Sequence, residues 1–134
     1  MSGLTLSVVK RSPEDIPREA LVHLNNAIIK GDSDYTLQDV LHEAEAGGGT
    51  LFSMETDRVV GAMYLQKYPD AIHIVLLGGE KIIAWKKQLV AFFKQTMREE
   101  GVRHVCVLGR RGWNGLFSEL KPIGTLYIHE DDLT

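Results

Sequence analysis

The sequence predicts an α/β fold: a mixed sheet covered by helices, in one domain spanning residues 1–134. Three observations predict it. Short runs rich in Val, Ile, Leu and aromatic residues, bounded by Gly, Pro and Asp, mark strands. Segments with apolar residues at helical spacing mark helices. A helical segment lies between two nearly continuous apolar runs, Ala71 to Leu77 and Val102 to Leu108. Such runs suit strands covered on both faces, and a helix joining them implies a parallel pair with a right-handed crossover.

Each element follows in order. Leu4 to Val9 reads as a short strand. Ser12-Pro13-Glu14-Asp15 reads as a helix start, with a capping hydroxyl, a proline suited to the first turn and acids at the positive end of the dipole. Ile16, Ala20, Leu24, Ala27 and Ile28 continue that helix to Gly31-Asp32-Ser33. Thr36 caps a shorter helix with Leu37, Val40, Leu41 and Ala44 on one face, closed by Gly47-Gly48-Gly49. Thr50 to Glu55 and Val59 to Tyr68 flank the polar turn Thr56-Asp57-Arg58, an antiparallel hairpin. After Pro69-Asp70 comes the Ala71 strand, then Gly78-Gly79-Glu80.

The next helix carries the apolar stripe Ile82, Trp85, Leu89, Phe92, Phe93 and Met97, with Lys86, Lys87, Lys94, Arg98 and Glu99 elsewhere on its surface. Gly101 stops it. The Val102 strand follows, then a short helix from about Trp113 to Leu120 ended by Pro122 and Gly124, and a last strand Thr125 to His129 before a solvated acidic tail. The predicted order is β-α-α-β-β-β-α-β-α-β. Edge strands at Leu4 to Val9 and near the C-terminus offer a route to dimers.

Composition narrows the function classes. The chain has 15 basic and 18 acidic residues and a net charge of −3, without the basic surplus of a dedicated nucleic-acid binder. Its one cysteine, Cys106, excludes an intramolecular disulfide framework and a cysteine-based zinc site. Met1 to Val9 lacks the pattern of a signal peptide, and no apolar run approaches the ~18 residues that span a bilayer. The expected setting is the cytoplasm or the interior of a larger assembly such as a virion. No Ser-His-acid arrangement has a glycine-framed nucleophile turn, and no Walker-type loop is present.

The order of elements resembles the GNAT (Gcn5-related N-acetyltransferase) superfamily over nearly the whole chain. Ala71 to Gly79 is similar to the family's fourth strand and cofactor loop. Asn114, Leu116, Phe117, Leu120 and Gly124 are similar to its last helix and the turn after it. Gly109-Arg110-Arg111-Gly112-Trp113 resembles small GNAT-like proteins encoded by bacteriophages.

The resemblance implies acetyl-coenzyme A as cofactor, its pyrophosphate held by backbone amides after the fourth strand, at Gly78, Gly79 and Lys81. Unpaired N–H groups and the helix dipole make such an anion site. The family's signature has Gln or Arg, two spacers, then Gly, a spacer, and Gly or Ala. Here Val75 and Leu76 stand three residues before the two glycines, and Glu80 and Lys81 two after. Glu80 places a negative charge beside the pyrophosphate, against Lys81, Lys86 and Lys87. At the position where active members often carry a tyrosine that protonates the leaving thiolate stands Phe117. Candidates for the base that deprotonates an acceptor amine are His73, Glu55 and Tyr64.

Other constellations have plain structural readings. Gly78-Gly79 also simply makes a turn between strand and helix. His73, His104 and Cys106 converge if their strands are neighbours, since His104 and Cys106 share a strand face; no metal site is expected there, because buried histidine and inert buried cysteine are commoner. Trp85 reads as core, and Lys86-Lys87 as a solvated face. Arg110, Arg111 and Trp113 are the candidate partner surface, since Trp and Arg are enriched at interface hot spots.

The function expected first is a GNAT-like protein with a degenerate acyl-coenzyme A site, non-catalytic and acting by protein binding, in a phage virion or assembly role. The alternatives are an active acetyl-coenzyme A-dependent N-acetyltransferase, and a small inhibitor or regulator of a host protein.

Overall fold

The computed structural model describes residues 5–30, 36–80, 82–108, 120–123 and 126–130. Its elements are β1 (Ser7–Arg11), α1 (Arg18–Lys30), α2 (Leu37–Glu45), β2 (Thr50–Glu55), β3 (Val59–Tyr68), β4 (Ala71–Gly79), a 3-10 turn (Ile82–Trp85), α3 (Lys86–Glu100), β5 (His104–Leu108), β6 (Leu120–Ile123) and β7 (Leu126–Glu130). This is the mixed α/β architecture expected from the sequence. No helix among the described residues is long and apolar enough to cross a membrane. The chain divides into two compact units, Met1–Leu65 with Leu76–Glu80, and Gln66–Val75 with Lys81–Thr134.

In the first unit the strand order is β1-β2-β3, followed by the end of β4. β1 and β2 are antiparallel, with Ser7 opposite Glu55 and Arg11 opposite Leu51. β2 and β3 form the expected hairpin, with Leu51 opposite Tyr64 and a bulge at Met54/Glu55. Its turn is closed by the Thr56 amide donating to the Arg58 carbonyl at 2.8 Å.

α1 begins later than the spacing predicts. The Ser12 amide donates to Asp15 Oδ1 at 2.7 Å, and the Ile16 amide to the Ser12 carbonyl at 3.1 Å, which closes a single turn. Pro17 then interrupts it, because proline has no N–H and disfavours helical geometry in the residue before it. The helix restarts with the Ala20 and Leu21 amides donating to the Pro17 carbonyl. Ala20, Leu24, Ala27 and Ile28 are buried, one face of a helix by their spacing. Full burial of one such leucine contributes about 1.5–3 kcal/mol.

α2 opens on the expected cap. Thr36 Oγ1 accepts from the Asp39 amide at 3.1 Å, and the Thr36 amide donates to Asp39 Oδ2 at 3.0 Å. This reciprocal box satisfies two amides that the helix itself cannot. The turn after α2 holds Gly47 at φ 86°, in the left-handed region.

In the second unit the first part of β4 pairs parallel with β5, Ala71 opposite His104 and His73 opposite Cys106. β5 pairs antiparallel with β7, and β7 with β6. The parallel pair is the one expected from the helix between two apolar runs. α3 buries Leu89, Phe93 and Met97, four residues apart and so on one face. Gly101, at φ 68°, ends it with its amide donating to the Met97 carbonyl.

The C-terminal region departs from expectation. Of the predicted Trp113 to Leu120 helix, residues 113–119 lie outside the described residues, as does Gly124. Leu120–Ile123 is strand β6, paired to β7 with Pro122 opposite Tyr127. Pro122 therefore sits inside a strand rather than ending a helix. Proline is tolerated there because β6 is the terminal strand, where a missing N–H breaks no central ladder. Strand bounds also shift by one to three residues: β1 reaches Arg11, and β7 takes in Glu130, which the sequence assigned to a solvated tail.

Candidate functional site

The end of β4 is where the sequence places a ligand-holding loop. β4 stays extended through Gly79, and the Glu80 amide still donates to the Val60 carbonyl at 2.8 Å. A Cβ added at Gly78 would lie 2.4 Å from the His23 carbonyl oxygen and 3.2 Å from Ala27 Cβ. The missing side chain thus lets α1 approach the strand. Gly61 on β3 plays a similar part: a Cβ there would lie 2.3 Å from Met54 Cε and 2.7 Å from the Gly78 carbonyl oxygen.

The Glu80 carboxylate is paired with Arg58 through two parallel bonds, Nη1 to Oε2 at 2.7 Å and Nη2 to Oε1 at 2.6 Å. This fork geometry is the strongest form of the interaction, and Glu80 raises the Arg58 pKa above its ordinary value. His23 Nε2 stands 4.0 Å from Glu80 Oε2. Lys81 lies outside the described residues. Lys86 is half-buried and Lys87 exposed in the first turn of α3, where Trp85 supplies no side-chain cap.

Two of the candidate bases, Glu55 and Tyr64, are held in hydrogen bonds. Glu55 accepts from Arg11 Nη2 at 2.6 Å and from Ser53 Oγ, and Arg11 Nε donates to Ser53 Oγ at 3.1 Å. The Arg11 guanidinium first, then the Ser53 hydroxyl, hold the Glu55 pKa below the usual carboxylate value. Tyr64 is fully buried, and its hydroxyl donates to Glu43 Oε1 at 2.6 Å. Glu55 and Tyr64 lie toward opposite ends of β2, the first at its last residue and the second opposite Leu51.

His73 is half-buried on β4, its ring centroid 4.0 Å from that of Tyr68. Burial lowers its pKa, which favours the neutral imidazole. The parallel register brings His73 beside Cys106, as the sequence allowed. Cys106 is buried, and desolvation pushes its thiol pKa up, which disfavours the thiolate form. His104 Nε2 stands 3.4 Å from Asp70 Oδ2, and its Nδ1 is buried without a hydrogen-bond partner. No group of three or more His, Cys, Asp or Glu side chains among the described residues could hold a metal ion. Arg110, Arg111, Trp113 and Phe117 lie outside the described residues.

Sequence reasoning missed two clusters. Arg11-Ser53-Glu55 depends on strand register; its only local signal is a serine in the strand Thr50–Glu55, where Ser53 is fully buried. Beside it opens a cleft of about 510 Å³ whose lining includes Lys10, Arg11, Glu14, Glu45, Gly47 and Thr50. Arg58–Glu80 joins residues 22 apart in sequence, which no helical or strand period relates.

Known structures share this architecture nearly end to end. Tetrahymena GCN5 superposes with a TM-score of 0.68 at 11% identity, covering 98% of each chain. An acetyltransferase of the GNAT family from Staphylococcus aureus gives 0.64 at 11% identity, covering 96% of this chain and 100% of that one. PaiA N-acetyltransferase from Thermoplasma acidophilum, solved with coenzyme A, gives 0.63 at 14% identity, covering 92% and 96%. This is the GNAT fold. No family model and no curated protein matches the sequence, and at these identities the likeness concerns the fold.

The cofactor that GNAT proteins suggest can be tested against the end of β4. A phosphate cradle needs close backbone approach and positive potential. Here Gly78 is accounted for by the His23 carbonyl, and the side chain next to the two glycines is a carboxylate already fixed by Arg58. Neither feature supplies the positive potential that a pyrophosphate calls for.

Proposed function

We propose that this GNAT-fold chain does not transfer acetyl groups and works by binding a protein partner, its cofactor site degenerate. The observation that carries the reading is the Glu80 carboxylate, held by two bonds to Arg58 directly after the glycines of β4. Paired this way, neither side chain offers the free positive charge that a bound pyrophosphate calls for. The state of the candidate bases adds support. Glu55 is locked to Arg11 and Ser53, and Tyr64 is buried against Glu43, so neither is poised to take a proton from an incoming amine.

The partner surface we assign to Arg110, Arg111 and Trp113, and the setting to a phage virion or its assembly, the role implied by the resemblance at Gly109 to Trp113. Titration calorimetry with acetyl-coenzyme A tests the first claim. We expect no binding heat; micromolar binding that is lost in Gly79→Asp overturns it. Copurification of wild type and Arg110→Ala/Arg111→Ala with virion proteins tests the second. We expect a partner lost in the variant, and equal recovery by both overturns the assignment.

An active N-acetyltransferase is the second reading. The neutral imidazole of half-buried His73 favours it, since that form accepts a proton at neutral pH. Acetyl-coenzyme A-dependent acetylation of an amine, lost in His73→Gln with the fold intact, would establish it.

A further inference from the structure

We propose that the cleft beside Arg11 binds a small apolar zwitterion, a free amino acid or a dipeptide, whose carboxylate meets Lys10 and Arg11 and whose ammonium meets Glu14 and Glu45. The cleft holds about 510 Å³ and lies wholly in the first unit, and its size falls among small-molecule sites. Four segments enclose it: the end of β1, the loop after it, the end of α2 and the start of β2. It is remote from the glycines of β4. The Glu80 amide is bonded to Val60, near the start of β3, which pairs with the end of β2. The cleft adjoins Thr50, the first residue of β2, about 17 Å away along that strand.

The class of ligand follows from the charges that line the cleft. Both signs are present, and they are not paired with each other. Among the described residues, Lys10, Glu14 and Glu45 take part in no ion pair. Arg11 is balanced by Glu55, so the net positive charge comes from Lys10. Arg11 adds direction. Its Nε donates to the fully buried Ser53 and its Nη2 to Glu55. These bonds fix the guanidinium and leave Nη1, with two N–H groups, without a bond among the described residues. A donor already held in place loses little freedom when a ligand arrives. Glu45 is the last residue of α2, at the negative end of the helix dipole, which adds to its pull on a cation. Pro13, Ala44 and Leu51 give the cleft apolar surface. A lone anion would meet two carboxylates, and a lone cation would meet Lys10. A zwitterion satisfies both signs.

Titration calorimetry and amide NMR on the full chain test this with leucine and leucylleucine. We expect saturable binding of at least one, with a Kd between about 10 μM and about 1 mM; the one that binds more tightly tells amino acid from dipeptide. Isoamylamine is leucine without its carboxylate, and isocaproate is leucine without its ammonium. Both should bind at least about tenfold more weakly than the zwitterion. Lys10→Gln and Glu14→Gln/Glu45→Gln, each with unchanged circular dichroism, should weaken the zwitterion by about tenfold. The amides of Gly47 and Gly49, which line the cleft, should shift on binding, while that of Glu80 stays. No binding of either zwitterion overturns the proposal. Equal affinity for isoamylamine or isocaproate, wild-type affinity in the variants, or shifts at Glu80 without shifts at Gly47 and Gly49 do so as well.

Discussion

The carbonyl oxygen of His23 occupies the space that any side chain at Gly78 would need. A Cβ on Gly78 would stand 2.4 Å from that oxygen, closer than two such atoms can approach. The backbone of α1 therefore rests directly on β4. Gly78→Ala should destabilise the protein by roughly 1–3 kcal/mol, the usual cost of overpacking, read as a lower urea midpoint with unchanged m-value.

Tyr64 and Gly49 form a second close pair, since a Cβ on Gly49 would lie 2.3 Å from the Tyr64 hydroxyl oxygen. The same hydroxyl donates to Glu43, which ties α2 to β3. Tyr64→Phe should cost about 1.5–3 kcal/mol, as for a hydrogen bond to a charged group. Gly49→Ala should cost less in a Tyr64→Leu background than alone. A double-mutant cycle by chemical denaturation reads the coupling.

Glu55 gives the protein an acid-sensitive joint. Its pKa is lowered in the fold by Arg11 and then Ser53. A carboxylate with a depressed folded pKa contributes stability that is complete above its unfolded value, near 4.5, and is lost as pH falls through the lower folded value. Urea midpoints should therefore drop below about pH 4.5 in the wild type. The drop should be shallower in Arg11→Gln, in which Glu55 titrates closer to its ordinary value by NMR.

The fold holds His73 neutral where it holds Glu55 charged, yet the effect runs in the same direction in pH. Burial lowers its folded pKa from 6.5. As pH falls below that value the unfolded chain takes up a proton that the folded chain refuses, so stability declines until the folded value is reached. The imidazole resonances should titrate with a midpoint below 6.5. His73→Phe should remove this part of the pH dependence.

Cys106 should behave as a buried methyl-like group. Its thiol pKa is raised by desolvation, and the thiolate is the reactive form. An aromatic disulfide reagent at pH 8 should label the native protein slowly and the urea-unfolded protein at once, with one equivalent released from the chain's single cysteine.

Much of the fold was legible because short-range rules governed it. The hairpin of Thr50–Glu55 and Val59–Tyr68 was read to the residue, because a polar three-residue turn sits between two apolar runs. Thr36 and Gly101 marked helix ends through capping chemistry that needs only neighbouring residues. The start of α1 was misread because Pro17 outweighs the capping signals at Ser12 and Asp15. β6 was missed because Leu120–Ile123 is short and contains a proline, which reads as a terminator until its pairing with β7 is seen.

The site was less legible for a different reason. Arg11 meets Ser53 and Glu55 through strand register, and Arg58 meets Glu80 across 22 residues. Gly78 carried a clear signal with two meanings, a turn or a ligand cradle. The position of the His23 carbonyl, which no local pattern reveals, shows that close helix packing requires a glycine there.

Pro122 has a consequence for how molecules of this protein meet. It lies in β6, at the far end of the strand order, and offers no amide proton. A strand arriving from another molecule finds a gap in the row of donors it would need to zip onto that border. Sheet-to-sheet polymerisation through β6 is therefore discouraged.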